Sequence, residues 1–139
     1  MRFMVMIKAN AQTEAGEMPS EDVLAAMAHY NETLANAGVL LGGEGLHPSS
    51  RGARVRFDSG QCSVVDGPFL ETHELIAGFW LFQTASLQDA IDWVKRCPAS
   101  AVGESEIEIR QVFEAEDFGA EFTAGLREQE ERLRAQINH

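Results

Sequence analysis

Ile76-Ala77-Gly78-Phe79-Trp80-Leu81-Phe82 is the stretch whose reading decides the fold. Successive side chains of a strand point to opposite faces. Ile76, Trp80 and Phe82 therefore share one face, and Ala77, Phe79 and Leu81 share the other. Both faces are apolar, which marks a central strand. Two helices can cover only one side of a sheet, and the other would be left as a large sticky patch. The simplest cover is a second copy packed sheet against sheet about a two-fold axis. A homodimer is the expectation.

The neighbouring segments read outward from that strand. Residues 3–7 form a short apolar strand, buried on both faces, followed by Lys8 and a polar loop. Pro19-Ser20-Glu21-Asp22 starts a helix, with Ser20 as cap and two carboxylates at the positive end of the dipole. Val23, Met27, Tyr30 and Leu34 make its apolar stripe, and Gly38 closes it. Val39-Leu40-Leu41 opens a second strand that runs through Gly42-Gly43-Glu44-Gly45-Leu46. Arg54-Val55-Arg56-Phe57, the turn Asp58-Ser59-Gly60 and Ser63-Val64-Val65 predict a hairpin. Ser86-Leu87-Gln88-Asp89 resembles a capping box. Ala90, Ile91, Val94 and Cys97 mark that helix's face, with Pro98 as its stop. Ile107 and Ile109 alternate with charges in a last strand, continuing through Val112 and Phe113. Phe118, Phe122, Leu126, Leu133 and Ile137 then predict a C-terminal helix interrupted at Gly125.

The order is βαβ, a hairpin, βαβ and a tail helix. That is an α+β, ferredoxin-like βαββαβ arrangement with an extra hairpin. The expected division is a domain over residues 1–113 and an acidic helical extension over 114–139.

The chain has 139 residues, 45% hydrophobic and 24% charged, which is ordinary for one globular domain. Eleven Lys and Arg against 22 Asp and Glu leave a net charge of −11. Such a protein repels phosphate backbones and anionic bilayers, so neither nucleic acid nor membrane is an expected partner. Residues 104–139 hold ten acidic and four basic side chains, −6 of the total. Cys62 and Cys97 form no C-x-x-C pair and read as buried or half-buried free thiols in a reducing compartment. Residues 3–7 are too short an apolar run for a signal peptide, and no longer one could span a membrane. A cytoplasmic protein is the expectation.

Asp66-Gly67-Pro68-Phe69-Leu70-Glu71-Thr72, with Gly78-Phe79 and a helix carrying Trp93 before Pro98, resembles the DGPF group of the YciI-related families. Gly42-Gly43-Glu44-Gly45-Leu46 before Pro48 fits the same group, and the resemblance runs over residues 2–113. It implies a dimeric α+β barrel built from ferredoxin-like subunits. It also implies two kinds of role. Some related proteins sit beside, or are fused to, extracytoplasmic-function sigma factors, and a few are implicated in degrading small chlorinated aromatics. Of a His–Asp pair found in the wider family, the histidine falls near Met27 here and the aspartate at Cys97, so that dyad is not carried over, although His29 lies nearby.

Four residues are the candidate site. Asp66, where a strand ends before Gly67-Pro68, is either a turn-capping carboxylate or a cleft base. Glu44 lies among glycines that let a ligand or a backbone approach closely. It either pairs with a cation, titrates high, or is a solvated strand end. Glu71 and His73 belong to a polar knot, Glu71-Thr72-His73-Glu74, in which His73 stands where related sequences carry lysine. Lys8, Arg54 and Arg56 either hold an anionic substrate or protect an edge.

No H-x-x-x-H or H-E-x-x-H spacing, phosphate loop or dinucleotide fingerprint occurs, and neither metal nor cofactor is expected. The leading expectation is a small-molecule enzyme or binding protein taking a small anionic or aromatic ligand. Cofactor-independent lyase or isomerase chemistry would suit it, since that needs only a placed proton acceptor and donor. The alternatives are a sigma-factor partner docking through the acidic tail and a dimer with no site.

Overall fold

The computed structural model describes residues 1–98 and 103–138. Its elements are β1 (Arg2–Lys8), α1 (Ala11–Glu14), α2 (Glu21–Asn36), β2 (Leu40–Gly45), β3 (Ala53–Asp58), β4 (Gln61–Asp66), β5 (Ile76–Gln83), α3 (Leu87–Val94), β6 (Ile107–Gln111) and α4 (Ala124–Ile137). Short 3₁₀ turns lie at Ser49–Arg51, Thr72–Glu74 and Ala115–Glu121. The main sheet has the order β2-β5-β1-β6, and every pairing in it is antiparallel. With α2 and α3 as the two helices that pack on the core, this is the ferredoxin-like βαββαβ order. β3 and β4 pair only with each other.

β5 is central, as its two-sided apolarity predicts, and lies between β1 and β2. The core is built on one face of the sheet from Phe3 and Val5 of β1 and Trp80 and Phe82 of β5, against Tyr30 and Leu34 of α2 and Ala90 of α3. Ser20 caps α2, its hydroxyl accepting from Val23 N at 3.3 Å. Beyond the helix, Gly38 takes φ +75°, a conformation that costs glycine little. The hairpin turns on Ser59 and Gly60, both at positive φ (50° and 81°), the combination a tight two-residue turn requires.

On the opposite face Met4 stands across from Leu81 and Met6 across from Phe79. The expectation that β1 is buried on both faces therefore needs correction: Met4 is 36% exposed, and so is Leu41 of β2, at 46%. Smaller differences lie elsewhere along the chain. The polar stretch after Lys8 contains a one-turn helix, because Asn10 and Thr13 cap it reciprocally. α3 ends at Val94, before Pro98, and β6 ends at Gln111. The tail breaks at Gly119 (φ +67°) and restarts at Thr123, whose hydroxyl accepts from Leu126 N, so Gly125 lies inside α4. Cys62 is exposed on the hairpin, and only Cys97 is half-buried. No helix among the described residues is long and apolar enough to cross a membrane.

Candidate functional site

The glycines of β2 bring it tight against β5. A Cβ on Gly43 would lie 2.8 Å from Trp80 Cδ1 and 2.9 Å from the Phe79 carbonyl oxygen. One on Gly78 would lie 3.1 Å from the Glu44 carbonyl oxygen. The missing side chains leave a cleft of about 270 Å³ between α2, β2 and β5, lined by Met27 and Asn31, by Glu44 and its flanking glycines, and by Phe79 and Trp80. Its walls are held firmly. Trp80 Nε1 donates to Asn31 Oδ1 at 2.9 Å. The Tyr30 ring meets the indole edge-on at 5.6 Å, and the Tyr30 hydroxyl donates to the Trp93 carbonyl at 2.7 Å. Burial pushes that hydroxyl's pKa well above the ordinary tyrosine value, so Tyr30 is a core donor and not a base.

Among the described residues the Glu44 carboxylate has neither a hydrogen bond nor an ion pair. It is exposed at the cleft's rim. The Asn31 side chain is oriented by Trp80: with Oδ1 accepting from the indole, its Nδ2 hydrogens are directed elsewhere.

The Asp66 segment is built around Ser49. Gly67 packs so closely that a Cβ there would sit 1.7 Å from the Ser49 carbonyl oxygen, and the Gly67-Pro68 peptide is cis. The Ser49 hydroxyl accepts from Phe69 N at 3.0 Å and donates to Glu14, whose other oxygen accepts from Ser49 N at 2.9 Å. Gly67 thus sets the backbone, as its place before proline suggests. Asp66 itself is exposed at the end of β4 opposite Ala53, and its carboxylate caps no turn among the described residues. Glu71 lies 3.6 Å from Arg54, whose guanidinium stacks on the Phe69 ring at 3.9 Å.

His73 is exposed on the Thr72–Glu74 turn. It lines a second cavity of about 550 Å³ with Lys8, Asn10, Glu104 and Glu106. Lys8 is occupied there by Glu108 at 3.3 Å, and with Arg110 it holds the Glu108 carboxyl below the usual carboxylate range. Glu44 and His73 therefore border different cavities, and Asp66 and Glu71 border neither. No three His, Cys, Asp or Glu side chains among the described residues are grouped to hold a metal ion.

Asn31, Glu14 and Ser49 are the polar groups that sequence reasoning passed over. Asn31 follows Met27 by four residues on one strip of α2, and that spacing was the available signal. Glu14 and Ser49 are 35 residues apart and carry no local signature.

The family model of the YCII-related domain matches residues 1–116. The protein named R00369 of Rhizobium meliloti (strain 1021) is 42% identical over 50 residues, which are 36% of this chain and 40% of that one. The match therefore spans well under half of that relative's length. Among solved structures, the 5-chloro-2-hydroxyhydroquinone dehydrochlorinase TftG from Burkholderia phenoliruptrix AC1100, in complex with 2,5-dihydroxybenzoquinone, aligns at 15% identity with a TM-score of 0.45. That alignment covers 81% of this chain and 94% of TftG. None of these matches names a sigma factor, so that alternative gains no support from them. With 116 of its 139 residues matched by one family model, the chain belongs to the YCII-related domain family.

Proposed function

We propose that this chain is a small-molecule enzyme or binding protein, working as a homodimer, whose site is the cleft between α2, β2 and β5. The observation that carries the reading is a cleft at the β2 edge of the sheet, bordered on the helix side by the oriented Asn31 amide and the Trp80 indole and at its rim by the free Glu44 carboxylate, which stands in register with Phe79. Pockets for small molecules are mostly apolar with a few placed polar groups, and this cleft has that composition. Its chemistry suits a hydroxylated aromatic ring. The Glu44 carboxylate accepts a hydroxyl proton, Asn31 Nδ2 donates to a ring oxygen, and the indole supplies the flat apolar surface. In an enzyme, Glu44 is the base and the Asn31 amide steadies charge developing on the ring oxygen, which is enough for cofactor-independent elimination or isomerisation.

Asp66, Glu71 and His73 take no part in proton transfer in this reading: Glu71 holds Arg54 against Phe69, and His73 belongs to the second cavity. The homodimer rests on the open sheet face, where Met4, Met6, Phe79 and Leu81 form a continuous apolar strip. A cytoplasmic location accords with the two unpaired thiols.

The test is a fluorescence titration of the purified protein with a panel of hydroquinones and hydroxybenzoates, reading tryptophan emission in wild type and in Trp93→Phe, where Trp80 is the single remaining indole. A compound that quenches it with a defined dissociation constant is expected to bind about 10-fold or more weakly to Glu44→Gln and to Asn31→Ala. Glu44→Gln should keep the wild-type melting temperature within a few degrees, whereas Asn31→Ala, which leaves the Trp80 indole N–H without its acceptor, should lose about 1–3 kcal/mol and is compared at a temperature where it is folded. Equal affinity for wild type and both variants would refute the site.

A further inference from the structure

The β3–β4 hairpin is turned inside out. Its polar face looks toward its own chain, with Arg54 stacked on Phe69 and paired with Glu71. The cross-strand pairs Val55–Val64 and Phe57–Cys62 lie on the other face. There Val55 is 53% exposed, Phe57 79% and Val64 66%. A two-stranded hairpin is marginal in water on its own and normally needs a third strand or a packed face. Among the described residues this one has no third strand, and its apolar face is left exposed.

We propose that this apolar hairpin face is an arm that packs against a second copy of the chain. The inference rests on the homodimer reading above and extends it. Two observations favour a second copy as the occupant. The first is area. The five apolar side chains of the open sheet face (Met4, Met6, Leu41, Phe79 and Leu81) present on the order of 300 Å², judged from their exposures. A stable interface takes roughly 800 Å² from each partner, so the sheet alone falls short. Val55, Phe57, Cys62 and Val64 add on the order of 400 Å², which brings the two surfaces together close to that need.

The second is charge. A chain carrying −11 repels its own copies, so a self-association surface has to be locally neutral. The hairpin, Arg54 and Arg56 against Asp58 and Asp66, sums to zero, whereas residues 104–139 carry −6. The hairpin and the sheet face, where Lys8, Glu108 and Arg110 nearly balance, are the surfaces on which two copies meet at low electrostatic cost.

Sedimentation over a concentration series tests this with three full-length variants. Phe57→Lys puts a charge on the outward face. Ser63→Lys puts the same charge on the opposite face of the same hairpin. Leu81→Lys charges the open sheet. Because a two-fold interface counts each change twice, Phe57→Lys is expected to weaken dimerisation about 100-fold or more, and Ser63→Lys less than about threefold. Alkylation of Cys62, the exposed thiol beside Phe57, gives an independent readout. It should be slow in concentrated wild type and fast in Phe57→Lys. If Leu81→Lys dissociates the dimer while Phe57→Lys keeps the wild-type constant, the arm is overturned and the dimer stands. Equal weakening by Phe57→Lys and Ser63→Lys overturns the assignment of the face. A wild-type chain that stays monomeric throughout overturns both readings.

Discussion

Gly42, Gly43 and Gly45 lie within four positions of β2, and replacing each by alanine should give sharply different results. An added Cβ at Gly42 or Gly45 meets no atom within 4 Å, whereas at Gly43 it meets Trp80 Cδ1 at 2.8 Å and the Phe79 carbonyl oxygen at 2.9 Å. Ordinary contact begins near 3.4 Å, so both neighbours have to retreat by about half an ångström. Neither can do so freely. Phe79 O is backbone of the central strand, and the Trp80 indole is 5% exposed, with Tyr30 on its edge at 5.6 Å and Phe82 at 6.1 Å. Overpacking of this kind costs about 1–3 kcal/mol. At a urea dependence of roughly 2 kcal/mol per molar, the unfolding midpoint of Gly43→Ala should fall by about 1 M. Gly42→Ala and Gly45→Ala lose unfolded-chain entropy without strain and should unfold at the wild-type midpoint or slightly above. Urea titration followed by circular dichroism and tryptophan emission measures all three. The same displacement moves the wall of the cleft, so Gly43→Ala should also lose ligand quenching. If Gly43→Ala unfolds with Gly42→Ala, the tight β2–β5 contact is wrong, and so is the cleft derived from it.

Gly67→Ala should be more damaging still, costing more than about 3 kcal/mol, because its Cβ would meet the fixed Ser49 carbonyl at 1.7 Å. A thermal melt as stable as wild type would contradict that packing. Tyr30→Phe leaves the Trp93 carbonyl without its 2.7 Å donor and should cost about 1–3 kcal/mol in urea titration, with the ring contacts intact. No loss would mean that the carbonyl finds another partner. The two hydrogen bonds from Arg2 hold the Glu114 carboxyl below its ordinary value. A lowered folded pKa adds stability above the unfolded value of about 4.5, and that stability disappears as pH falls through the folded pKa. Wild type should therefore lose more stability than Glu114→Gln between pH 6 and pH 3, and equal losses would show that the pair is not maintained.

Periodicity and turn chemistry act over a few residues, and the elements that depend on them were legible. The β5 alternation, the Ser20 cap, the Gly38 stop and the Ser59-Gly60 turn each state their own conformation locally. Asn10 and Thr13 were missed because a single helical turn has no period to read. The tail break was put at Gly125, yet backbone conformation selected Gly119, and Thr123 restarts the helix. Residue type alone does not say which of two glycines takes a positive φ.

The candidate site divides along the same line. Glu44 stood out because a carboxylate among glycines is unusual within a strand, and it does border a cleft. Asp66, Glu71 and His73 share its acid–base chemistry, but they lie on the hairpin and the Thr72–Glu74 turn, away from that cleft within the chain. Asn31 gains meaning only from the Trp80 indole 49 residues away, and Ser49 only from Glu14 and Gly67. By itself the amino-acid order determined the βαββαβ order with its hairpin, the central place of β5 and the apolarity of both its faces, since these follow from short-range repeats. Tertiary structure alone decided which polar groups border the cleft and which glycines cannot carry a Cβ, because such placements depend on how distant strands and helices close against one another.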